Sequence, residues 1–106
     1  MTIKDWNIKN LTGYHPKTTF YTDFSMAEPF GISAIADTYE RAFKEWSSNV
    51  EYLTELTMVL NWKIWEHYET NEPVAKFYND LWTRTDEYCV KNLKGKDLEY
   101  FLNTTG

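Results

Sequence analysis

Between Gly31 and Leu93 apolar residues return at intervals of three and four with little interruption, and that spacing restricts this stretch to amphipathic helices. Ile32, Ile35, Ala36, Tyr39, Phe43 and Trp46 form one stripe, which predicts a first long helix ending near Ser47-Ser48-Asn49. Asn49 can accept the free N–H groups of a second helix running to about Thr70. Leu53, Leu56, Leu60, Ile64 and Tyr68 lie along its centre, and Met58, Val59, Trp62 and Trp65 widen its apolar surface. Asn71-Glu72-Pro73 starts a third helix, since proline suits the first turn and the residues before it can cap. That helix carries Val74, Phe77, Tyr78, Leu81, Trp82, Tyr88, Cys89 and Leu93, with Thr85 where an apolar residue is expected, and stops at Lys94-Gly95. Asp97 can cap a short last helix over Leu98–Leu102, with residues 103–106 as a frayed tail.

Acids stand four residues before bases at Asp37 and Arg41, Glu40 and Lys44, Glu72 and Lys76, Asp80 and Arg84, and Glu87 and Lys91, marking solvated helix faces. The first 30 residues lack this periodicity. Trp6, Ile8 and Leu11 precede a turn-like Gly13-Tyr14-His15-Pro16 and a β-prone Thr18–Thr22, which predicts extended chain laid over the helices. Ser25-Met26-Ala27-Glu28 matches a capping box, so a single helical turn can begin there before Pro29 and Gly31. The expectation is an all-α fold: a small bundle of three long helices plus short terminal helices, with the irregular N-terminal segment packed over it. With 106 residues this is one domain: residues 1–30 irregular, 31–102 the bundle, 103–106 the tail.

Charge narrows the function classes. Residues 1–20 hold three Lys against one Asp and residues 91–106 three Lys against two acids, whereas residues 21–90 hold thirteen acidic against five basic side chains. A body this acidic repels a phosphate backbone, so direct nucleic-acid binding is disfavoured and a basic protein partner is favoured. A nucleic-acid contact through Lys4, Lys9 and Lys17 ranks last. One cysteine permits no intramolecular disulfide, the start lacks a signal-peptide pattern, and no run of 18 apolar residues occurs; a cytoplasmic protein with no membrane contact is expected.

No catalytic or cofactor motif is present. His67 has no ligand-type residue at the helical spacings that share a face, and His15 precedes a proline in a loop, so no metal site is expected. The carboxylate pairs Glu51/Glu55 and Glu66/Glu69 read as solvated faces, and Cys89 on the apolar stripe reads as an inert buried thiol. Aromatics make up 18% of the chain, more than a core of this size can hide, so some should serve as contacts. The densest unexplained run is Trp62-Lys-Ile-Trp65-Glu-His67-Tyr68, where apolar and polar residues circle the helix as burial on several sides or an interface would require.

Trp6-Asn-Ile-Lys-Asn-Leu-Thr-Gly-Tyr14, Thr19-Phe20, Asp23-Phe-Ser25, Asp37-Thr-Tyr-Glu-Arg-Ala-Phe43 and Tyr52-Leu-Thr-Glu-Leu-Thr-Met-Val-Leu-Asn-Trp-Lys-Ile-Trp65 resemble small uncharacterised proteins of phages and conjugative elements of gut Firmicutes. The resemblance covers most of the chain and brings no catalytic motif. It implies a setting in which small acidic proteins inhibit host defence, among them anti-CRISPR proteins that present carboxylates where a nuclease expects phosphates. The leading expectation is therefore a non-enzymatic interaction module that binds a larger host protein, such as a nucleic-acid-handling enzyme, through Trp62, Trp65, Glu66, Tyr68 and Glu69. The alternatives are a homodimeric accessory protein, and a small-molecule binder in which Tyr14, His15 and Tyr21 converge.

Overall fold

The computed structural model describes residues 20–105, and within them every regular element is helical. Helix α1 spans Phe20–Ala27 and runs into a 3₁₀ turn over Glu28–Phe30. Three longer helices follow, α2 (Ile32–Trp46), α3 (Val50–His67) and α4 (Glu72–Asn92), and then α5 (Lys96–Thr105). No helix among the described residues is long and apolar enough to cross a membrane.

The caps follow their chemistry. Asn49 Oδ1 accepts from the N–H groups of Glu51 at 3.0 Å and Tyr52 at 3.2 Å, and Asn71 Oδ1 accepts from Val74 at 3.4 Å, with Pro73 in the first turn of α4. Gly31 takes φ +98°, a conformation that a side chain disfavours, and so turns the 3₁₀ segment into α2. Gly95 at φ +59° performs the same service between α4 and α5.

α3 and α4 form the most extensive interface. Leu56, Val59 and Leu60 of α3 meet Tyr78 and Leu81 of α4, Ile35 and Tyr39 of α2, and Phe20 and Phe24 of α1 in one core. A second cluster, Leu53, Cys89 and Phe101, fastens α5 beneath α3 and α4. Phe24 and Tyr78 meet edge to face with ring centroids 5.7 Å apart, an arrangement that aligns the positive edge of one ring with the negative face of the other.

Several boundaries differ from the sequence expectation. Residues 20–27 are helical, where the β-prone run suggested extended chain, because Phe20, Phe24 and Ala27 recur at helical spacing and all three are buried against the bundle. The capping box at Ser25 therefore falls inside a helix already formed. α3 ends at His67, three residues early, and the backbone reverses there with the N–H groups of Thr70 and Asn71 both bonded to the His67 carbonyl. α5 begins at Lys96, which puts Asp97 in its first turn rather than at its cap, and continues through Thr105, whose hydroxyl bonds the Phe101 carbonyl at 2.7 Å. Expectations for residues 1–19 lie outside the described residues.

Thr85 explains its own break in the stripe. It is fully buried; its hydroxyl donates to the Leu81 carbonyl at 2.8 Å and lies 2.7 Å from the Tyr39 hydroxyl, for which it serves as acceptor. Thr85→Val keeps the shape and leaves the Tyr39 hydroxyl without that acceptor, so an expected loss of about 2 kcal/mol follows in urea denaturation. The double variant with Tyr39→Phe removes both polar groups and should recover most of it. Additive losses in the two single variants would contradict the bond.

Candidate functional site

Lys63 is the one charged side chain among the described residues that is fully buried. It sits on the apolar row of α3, one turn after Val59 and Leu60, and therefore points at α1 and the 3₁₀ turn. An ammonium in that position survives only if its charge and its three donors are matched. They are: Nζ lies 3.0 Å from Glu28 Oε2, 2.8 Å from Glu66 Oε2 and 2.6 Å from Ser25 Oγ, and the Tyr21 ring centroid is 4.2 Å away.

A second ring of donors holds the two carboxylates. Tyr78 donates to Glu28 Oε2 at 2.6 Å and Tyr21 donates to Glu66 Oε1. Burial first, and the facing carboxylates next, push both phenols above their ordinary titration range, so they remain protonated donors. His67 closes the cluster, stacked on Tyr78 with ring centroids 5.9 Å apart. Its Nε2 stands 3.1 Å from Glu28 Oε2 and 3.4 Å from Glu66 Oε2, yet makes no hydrogen bond of acceptable angle.

Glu28, Glu66 and His67 bring three potential metal-ligating atoms within 4.8 Å of one another. The helical-spacing test missed this group because Glu28 arrives from a different element and Glu66 is adjacent to His67 in sequence. The Lys63 ammonium lies against the same two carboxylate oxygens that a cation would use, so the cluster carries its own counter-ion. It ties α1 and the 3₁₀ turn to the end of α3.

Burial alone would raise the Glu66 carboxyl, but the hydrogen bonds from Lys63 and Tyr21, joined by the charges of Lys63 and His67, hold it below its ordinary value of 4.5. A carboxylate depressed in the fold contributes stability that is complete above the unfolded value and is lost as pH falls through the lower folded one. The stability difference between the native chain and Glu66→Gln should therefore be present at about pH 5 and shrink as the pH falls below 4.5. Urea midpoints for both proteins across that range measure it. A gap that widens as the pH falls below 4.5 would contradict the assignment.

The sequence-predicted contact residues separate into two groups. Trp62 is half-buried and packs against the core, and Glu66 is drawn partly inward by Lys63 and Tyr21. Trp65 and Tyr68 face outward, 63% and 60% exposed, with ring centroids 5.4 Å apart, and Glu69 beside them is exposed. Tyr68 follows the last residue of α3, in the turn that leads to α4. With Ile64 it borders an open groove of about 650 Å³, whose other side is Glu72, Ala75, Lys76 and Asn79 of α4.

Neither this groove nor the one of about 660 Å³ between α1 and α2 is lined by any member of the Lys63 cluster. Tyr21 belongs to that cluster; Tyr14 and His15, expected beside it, lie outside the described residues. Cys89 is fully buried, and desolvation, with Asp86 adding to it, pushes its thiol up to about 12, which keeps it protonated and unreactive at neutral pH. No known protein family, curated protein or solved structure matches the chain.

Proposed function

We propose that this protein is a non-enzymatic interaction module that binds a larger protein through the outward end of α3. The observation that carries the reading is the pair Trp65 and Tyr68, two large rings in mutual contact and mostly exposed on a helix whose end is fixed from behind. Rings of this kind supply much of the energy at protein contacts, and a surface that is already rigid loses little conformational freedom on binding. The Lys63 cluster supports that rigidity, since Glu66 and His67, the two residues after Trp65, are both held in it. The polar cluster has tyrosines as donors and an internal counter-ion, and it lines neither of the two grooves described above, which favours a structural role over a catalytic one.

The resemblance to proteins of phages and conjugative elements extends the reading to an inhibitor of a host enzyme that handles nucleic acid, met by carboxylates and rings together. Affinity capture from a bacterium that carries such elements tests it, with a control bait bearing Trp65→Ala, Tyr68→Ala and Glu69→Gln. Retention of one larger protein by the native bait and its loss from the control is expected. Recovery of nothing but the chain's own copies by both baits would favour a homodimer and overturn the proposal.

A further inference from the structure

We infer that the aromatic and acidic end of α3 recognises an arginine side chain within a basic segment of its partner; this rests on the interaction reading above. Charge complementarity selects the occupant. Glu69 follows Tyr68 in the chain, and Glu72 faces Tyr68 across the groove on the same side as Lys76, so acids outnumber bases two to one where a partner would dock. The neighbouring cluster adds to this field, since two carboxylates, Glu28 and Glu66, share the one ammonium of Lys63 there. An anionic partner meets repulsion here, and a purely apolar one leaves the carboxylates desolvated.

Arginine fits better than lysine. Its planar guanidinium stacks on an aromatic face while its N–H groups still donate at the edge, whereas a lysine ammonium is a compact point charge that holds its hydration. Trp65 and Tyr68, tilted by 58° to each other, offer two differently oriented faces, and Glu69 follows Tyr68 in the chain as a carboxylate acceptor.

Fluorescence anisotropy with the full chain and two labelled peptides tests this, one alternating arginine with glycine and the other alternating lysine with glycine at equal length and charge. The arginine peptide should bind about tenfold more tightly, and Trp65→Ala or Tyr68→Ala should each remove most of that preference. Both side chains are exposed, so the variants should melt as the parent does, and circular dichroism verifies it. Equal affinity for the two peptides, or a preference untouched by Trp65→Ala, would overturn the arginine assignment. If the capture experiment still returns a protein that the control bait loses, only that assignment fails; if capture fails as well, the interaction reading falls with it.

Discussion

Lys63→Met is expected to destabilise the fold by about 3 kcal/mol, which for a domain of this size lowers the melting temperature by roughly 15 °C. Methionine keeps the length and apolar stem of the side chain, so packing changes little. What is lost is the buried ammonium that Glu28 and Glu66 share, and the two carboxylates would then face each other with 18% and 36% of their side-chain surface in water. That partial exposure sets the estimate at the lower end of the cost of breaking a buried pair. Adding Glu28→Gln removes the uncompensated charge and should return about half of the loss. Thermal and urea unfolding of the three proteins measures it. A single-variant loss below about 1 kcal/mol would mean that Lys63 finds water in solution and that the cluster does not hold α1 to α3.

Phe24→Ala should cost about 3 kcal/mol or more, the usual range for emptying a buried phenylalanine site. Phe24 has no exposed surface and abuts Tyr78 edge to face, so its removal opens a cavity between α1 and α4 beside the hydroxyl that holds Glu28. Phe30, 79% exposed a few residues later, provides the control, since Phe30→Ala should stay within about 0.5 kcal/mol. Comparable small effects from both would remove α1 from the core and return residues 20–27 to the loosely laid chain that their β-prone composition suggests.

The helices from Ile32 onward were legible because their signals are local. Asn49, Asn71, Pro73 and Gly95 act through backbone groups a few residues away, and the apolar stripe reports which side is buried without naming what buries it. α1 escaped because its pattern is brief: Phe20, Phe24 and Ala27 sit among threonines and a tyrosine whose β preference outweighs eight residues of helical spacing. Along α2 and α4 the acid-before-base spacing marked the wet faces, but Arg84 reaches Glu40 on the neighbouring helix at 2.7 Å, a choice set by tertiary placement.

The candidate site divides along the same line. Trp65 and Tyr68 were named as contacts from a run whose polar and apolar residues circle the helix, with Glu69 just after it, and the structure leaves all three exposed. Lys63 stands in that run and was not singled out, although its spacing from Val59 and Leu60 puts it on the buried row, where a lysine demands an acid. Glu66, three residues on, was findable as one partner. Glu28, Ser25 and Tyr21 were not, because they approach from 35 or more residues away through the turn at Gly31.

The most direct test of the interaction surface is photo-crosslinking in living cells of a bacterium that carries such elements, with a benzophenone amino acid placed at position 68 in one protein and at position 33, exposed on α2, in another. A covalent adduct with one larger protein is expected from position 68 and none from position 33. Adducts from neither position, or the same adduct from both, would contradict a contact surface at the end of α3.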